Sequence, residues 1–354
     1  MALEIRLDGV WLSTLAPWGA LKVTSRWGDG GSGTWEVAFS LSVPPGFRHQ
    51  AIRRGALVEV VDSGFVVESG ILSEPDRSSW NLVASGLCRQ AAGFQCLNSS
   101  NEPTSVLNVA VDQAIARGLP WTRPTSLRSS KYAETNQTDN LNDLAVLLDG
   151  VADLQGQRWG VTPTGAVFLA ADPTTPDLLL APGVDALGAA DDEYASALIV
   201  RYRDDVTHAY ETIVVTDPAA IDAWDYTERP ADLTGLGEIS SADATAVGQS
   251  ILNKGSARLD WVGDITATRG QVLSTGGGAV DPSTVRAGQM IRIPVPFDDQ
   301  RNLTGVTHLD LVIGQAVYEE GSDAVTISPL GSTARTFAAV IEDALSTNRP
   351  KFRK

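Results

Sequence analysis

Histidines, cysteines and clustered carboxylates are the side chains that could carry catalysis or metal binding, and this sequence spaces them poorly for either. The three histidines, His49, His208 and His308, are scattered, which leaves little material for a zinc site or a His-centred acid–base step. Cys88 and Cys96 match no zinc or redox spacing and read as free, half-buried thiols with no disulfide between them. Asp191-Asp192-Glu193 and Asp204-Asp205 offer paired carboxylates of the kind used in glycoside hydrolysis or calcium binding. Carboxylate runs flanking strands are ordinarily solvated turns, and no glycine sits where a metal cage would need one, so both runs are read as turns.

Gly28-Asp-Gly-Gly-Ser-Gly33 satisfies G-x-G-x-x-G, the spacing that presents backbone N–H groups to a pyrophosphate at a helix N-terminus. The next residues, Thr34-Trp-Glu-Val-Ala-Phe39, have the pattern of a strand, so the glycines read as a hairpin or loop. There is no P-loop, His-Glu-x-x-His, G-x-S-x-G or EF-hand loop. The expectation is therefore no catalytic residue, no metal and no cofactor. Nine tryptophans against six tyrosines raise the question of a sugar-stacking platform. Trp11, Trp35 and Trp80 fall in alternating strand patterns and Trp159 in a hairpin, where packing is the expected role. Asn98-Ser-Ser, Asn136-Gln-Thr and Asn302-Leu-Thr match the glycosylation triplet but carry no weight without a secretory signal.

The 354 residues exceed one ordinary core and predict two or three domains, and 43% hydrophobic with 20% charged residues is the composition of a folded chain. No apolar run reaches the roughly 18–20 residues that span a membrane, and the N-terminus shows no signal peptide, so synthesis in a cytoplasm is expected. The net charge is −16, and Ala171 to Asp264 holds most of it, with 18 Asp and Glu against 5 Lys and Arg. An excess of this sign argues against nucleic-acid binding, which needs cations to neutralise phosphates. The one basic run is C-terminal: Arg349, Lys351, Arg353 and Lys354.

Residues 1–97 read as a β domain. Leu3, Ile5 and Leu7 alternate with charged residues, Trp35 to Val43 alternates again, and three apolar runs come after Gly55, separated by Asp-Ser-Gly and Ser-Glu-Pro-Asp-Arg turns. Residues 98–190 read as α+β, with one helix over 104–117, a second capped at Thr138-Asp-Asn140, and a hairpin around Thr162-Pro-Thr-Gly165. Residues 191–331 read as a second β-barrel-like domain with a helical excursion over 217–255, and Gly276-Gly-Gly278 as a flexible loop within it. Over 332–354 an amphipathic helix, with Phe337, Val340, Ile341 and Leu345 on its apolar face, precedes the basic tail. Too short to be stable alone, it is expected to dock, and with Arg349, Lys351 and Arg353 it is the candidate partner interface.

The order of these parts resembles the tail-tip or baseplate hub family of minor tail proteins from long-tailed actinobacteriophages, which is similar to the N-terminal hub part of tail-associated lysins. The residues carrying the resemblance are Val66-Val-Glu-Ser-Gly70 with Glu74-Pro-Asp-Arg77, Asn142-Asp-Leu-Ala-Val-Leu-Leu-Asp-Gly-Val-Ala152, and the hairpin Arg158-Trp-Gly-Val-Thr-Pro-Thr-Gly-Ala-Val-Phe168. Tyr194-Ala-Ser-Ala-Leu-Ile-Val-Arg-Tyr202, Arg286-Ala-Gly-Gln-Met-Ile-Arg-Ile293 and Val312-Ile-Gly-Gln-Ala-Val-Tyr318 complete the series.

The resemblance implies a mainly β fold with α+β insertions: two β-barrel-like domains forming a hub ring, a small α+β domain and a C-terminal helix. It implies a non-enzymatic virion protein at the phage tail tip, a homotrimer that closes the tail tube, adapts sixfold to threefold symmetry and lines part of the DNA ejection channel. Its expected partners are the distal tail and tape-measure proteins and other minor tail proteins or fibres, with DNA passing but not specifically bound. An acidic lumen would repel phosphate. A host-wall carbohydrate- or receptor-binding tail protein and a cell-wall hydrolase are the alternative readings.

Overall fold

The computed structural model describes residues 3–124, 127, 143–182, 187–188, 195–255, 260–261, 264–294 and 307–330. In chain order the elements open with β1 (Glu4–Leu7), β2 (Val10–Trp11), β3 (Trp18–Arg26), β4 (Ser32–Leu41), β5 (Leu57–Asp62), β6 (Phe65–Leu72) and β7 (Asn81–Gly86). Helices α1 (Leu107–Ala116) and α2 (Leu144–Leu154) come after them, then β8 (Arg158–Val161), β9 (Val167–Ala170), β10 (Leu178–Leu180) and β11 (Leu187–Gly188). Next are β12 (Ala197–Asp204), β13 (Tyr210–Thr216), α3 (Pro218–Trp224), β14 (Glu228–Asp232), β15 (Glu238–Ile239) and α4 (Ser241–Gly255). The last are β16 (Asp260–Trp261), β17 (Ile265–Thr268), β18 (Val272–Ser274), β19 (Met290–Pro294), β20 (His308–Glu319) and β21 (Ala324–Pro329). No helix among the described residues is long and apolar enough to cross a membrane.

Two compact units result. The first comprises residues Met1–Val184, Asp264–Arg292 and Asp310–Leu330, and the second Asp185–Gly263, Ile293–Leu309 and Gly331–Lys354. In the first, the sheet runs β18-β10-β19-β20-β3-β4-β7-β6-β5-β1-β2, with β17 joined to β20 through β21, and β9 joined to β4 through β8. Strict alternation builds it: Ile5 and Leu7 of β1, Val58 and Val60 of β5 and Phe39 and Leu41 of β4 all turn into one buried cluster. A second cluster forms where α1 and α2 pack Leu107, Val111, Leu144 and Leu148 against Trp121, Trp159 and Val161. Each such side chain contributes about 1.5–3 kcal/mol on burial.

The fold is mainly β with few helices, but the expectation of two closed, barrel-like domains is corrected: among the described residues no closed barrel forms. The edge of β3 that could close the N-terminal strands on themselves is taken instead by β20, with Lys22 to Arg26 paired against Glu319 to Gln315. The sheet therefore runs on, as an open path.

In the second unit β12 sits between antiparallel β13 and parallel β14, with β15 alongside its end. Ala244, Ile251 and Leu252 of α4 recur at helical spacing and cover Leu198, Val200, Tyr202 and Val215. Asp217 caps α3 by accepting from the N–H groups of Ala219 and Ala220, with Pro218 at the first helical position. The triglycine lies in a hydrogen-bonded turn, in which Ser274 donates N–H to the Gly278 carbonyl at 2.8 Å and its own carbonyl accepts the Gly277 N–H at 2.8 Å.

Candidate functional site

The glycine loop joins β3 to β4, so no helix dipole stands behind it. The anion it meets is internal. Asp149 on α2 accepts the Gly30 N–H at 2.9 Å and the Trp159 indole N–H at 2.6 Å. Arg158 bridges Asp29 at 2.6 Å and Asp172 at 3.0 Å, and Asp172 also accepts the Trp27 indole N–H at 2.7 Å. Gly31, at φ +108°, leaves no room for a side chain: a Cβ there would lie 2.7 Å from the Trp159 ring. Gly33, at φ +115°, lets β4 run parallel to β8, where a Cβ would overlap the Val161 carbonyl. At Gly31 and Gly33 the loop is a packing joint, and the Gly30 N–H is already taken by Asp149.

The other candidates are likewise held in local structure. Asp204 accepts the N–H groups of Val206 and Thr207 at 2.9 and 2.8 Å, which closes the β12–β13 turn. The Thr207 N–H is the main cause of its carboxyl lying below the usual range, with the Val206 N–H next. Asp191, Asp192 and Glu193 lie outside the described residues. Cys88 and Cys96 are both free and buried, and desolvation pushes their thiols up to about 11 and about 12. His49 accepts the Ala51 N–H, His208 meets Glu238 at 3.0 Å, and His308 touches Thr307, so the histidines do not converge. Among the described residues no His, Cys, Asp and Glu gather in metal-binding geometry.

The tryptophans separate by environment. Trp121 and Trp159 are core, with ring centroids 6.0 Å apart. Trp11 and Trp35 are half-buried in their strands. Trp80 departs from the expected strand: it occupies a turn at φ +54°, edge-on to Phe47. That turn is built by Asp76, which accepts the Ser78 hydroxyl at 2.7 Å, the Ser78 N–H at 2.9 Å and the Ser79 hydroxyl at 2.6 Å. These bonds, that from the Ser78 hydroxyl foremost, hold its carboxyl well below the usual range.

One site was not singled out in the sequence. A register shift in β6 opposes Val60 to Glu68 and Val61 to Val66, so Val67 is an extra residue. Glu68 shares the inward side with Gly70 and Leu72 and is only 2% exposed. Thr34 donates its hydroxyl to Glu68 and accepts the Ser69 N–H at 3.2 Å. The Arg286 guanidinium meets the other carboxylate oxygen and is itself aimed by the carbonyls of Ser283 and Val285, at 2.5 and 2.9 Å. The Ala287 N–H donates to Ser25 at 2.9 Å, and the Gly288 N–H to the Ile313 carbonyl at 2.8 Å. Burial drives the Glu68 carboxyl upward, and Arg286 and Thr34 offset this only in part. The seam ties a segment from the C-terminal third of the sequence to β3, β4 and β6. Its sequence signal was a glutamate at core parity with Leu72.

The partner-interface candidates Phe337, Val340, Ile341, Leu345, Arg349, Lys351 and Arg353 lie outside the described residues.

No protein-family model matches the chain, and no curated protein sequence does. Solved structures do. The chain is similar to a 43 kDa tail protein of prophage MuSo2 from Shewanella oneidensis, with a TM-score of 0.51 at 13% identity, over 96% of this chain and 98% of that one. A tail protein from Neisseria meningitidis MC58 gives a TM-score of 0.48 at 14% identity, covering 96% and 98% of the two chains. Prophage tail protein gp18 from Listeria monocytogenes EGD-e gives 0.46 at 10% identity, covering 98% and 100%. The likeness to the Shewanella prophage protein is one of fold, and it runs almost from end to end of both chains.

Proposed function

We propose that this chain is a structural component of a phage tail, built into the virion and not catalytic. The observation that carries the reading is the fold shared with a prophage tail protein over 96% of this chain and 98% of the other. The seam and the glycine joint support the same role, since both spend their polar groups on holding strands together.

At finer grain we place the chain at the tail tip as a hub: a homotrimer that closes the tube, matches sixfold to threefold symmetry and lines part of the ejection channel. Its neighbours are the distal tail and tape-measure proteins and other minor tail proteins or fibres. This rests on the order of parts along the sequence, and the charge of −16 suits a surface past which DNA slides without sticking. Deleting the coding sequence from the phage and counting tailed particles by electron microscopy tests the reading. Loss of infectious particles, restored by the gene in trans, is expected; normal infectious tails would overturn it.

A further inference from the structure

Trp35 is the extra residue of a second bulge. Across β3 and β4, Thr24 opposes Glu36 while Ser25 opposes Thr34, so Trp35 has no opposite number. Bulges re-aim side chains. Here the indole is half-buried and meets two guanidiniums, with Arg26 Cζ 4.6 Å and Arg89 Cζ 4.9 Å from its ring centroid. Among the described residues no carboxylate pairs with either arginine, and the adjacent Glu36 does not. Elsewhere in the same unit Arg6, Arg123, Arg158 and Arg292 each hold a carboxylate at 2.6–2.7 Å. Among the described residues Arg48, Arg54, Arg77 and Arg117 of the same unit likewise hold no carboxylate; what sets Arg26 and Arg89 apart is that they share one indole.

Stacking fixes the plane of a guanidinium while leaving its N–H edge free to receive a carboxylate in bidentate fashion. Trp and Arg together, already ordered, are the composition of an interface hot spot. The complementary charge lies within the chain itself: 171–264 carries 18 acidic residues against 5 basic, and Asp225, Glu228 and Asp232 of its described part are exposed. Asp232 is kept ionised chiefly by the Thr234 hydroxyl, which draws its carboxyl below the usual range.

We propose that the Arg26–Trp35–Arg89 cluster of one copy docks the acidic Asp225–Asp232 surface of a second copy. Because the two patches differ, the contact is heterologous, the kind that closes a ring when its rotation permits. The contact deepens the tail-assembly role and rests on that role for the ring.

The test uses the purified full chain and sedimentation velocity over a concentration series at low and high salt. Salt-sensitive self-association is expected. R26E/R89E should raise the apparent dissociation constant at least about thirtyfold, the scale of a hot spot, without lowering the melting temperature. W35A should weaken association in the same direction, and adding E228K/D232K to R26E/R89E should restore it. A monomeric wild type at every concentration, or an R26E/R89E variant that associates like wild type, would overturn the proposal. So would a monomeric wild type that retains labelled duplex DNA through the same arginines. Failure of the chain to enter tails would remove the tail reading and leave this result standing.

Discussion

Glu68 is a carboxylate inside a β-sheet, and it survives there because Arg286 and Thr34 answer its charge. Arg286→Met should cost about 3–5 kcal/mol at neutral pH, because it strands a buried charge, whereas Glu68→Leu with Arg286→Met should recover much of that loss. Burial raises the folded carboxyl above its unfolded value of 4.5. The stabilising contribution of its protonation is therefore fully present below pH 4.5 and is lost as pH rises through the folded value. The deficit of Arg286→Met relative to wild type should accordingly shrink between about pH 8 and about pH 5 in urea titrations; equal deficits at both would refute this. The thiols make a second prediction at this scale. With Cys88 at about 11 and Cys96 at about 12, both should resist alkylation at about pH 8 in the native protein and react, as two free thiols, once urea unfolds it.

At the scale of elements, the β3–β4 loop and the β8–β9 hairpin form one joint through Asp149, Arg158 and Trp159. Gly33→Ala would push a methyl into the Val161 carbonyl from a left-handed backbone, and should cost about 1–3 kcal/mol in thermal or urea unfolding. An unchanged midpoint would show that β4 does not need to lie close to β8. Trp159→Ala should cost about 3–5 kcal/mol, because it empties the α1–α2 cluster and strips Asp149 of a donor. The local elements were legible in the sequence. The α1 stripe and the Thr162–Gly165 hairpin appear where periodicity and turn residues put them, and the excursion over 217–255 holds α3 and α4 but also the strands β14 and β15. What periodicity cannot carry is which distant edge a strand joins: β3 pairs with β20, and nothing local to Lys22–Arg26 specifies that partner. The bulges at Trp35 and Val67 escaped for the same reason, since a bulge is defined by the opposing strand. With them went the orientation of Trp35 and the parity that buries Glu68.

For the molecule as a whole, the 15-stranded sheet stays open among the described residues, and the chain carries an excess of acid. The segments that resembled a tail hub in sequence, Val66–Gly70 and Arg286–Ile293, meet in the structure as Glu68 and Arg286. That meeting makes them supports of one sheet. Membership in a tail is tested by an electron cryo-microscopy map of the tail end of purified particles, resolved well enough to trace side chains. Three symmetry-related copies of this chain are expected at the tip, the sheet built into the wall of the channel. A fully traced tail without the chain would contradict the claim outright, and six copies in a single ring would contradict the hub assignment in favour of a distal ring protein.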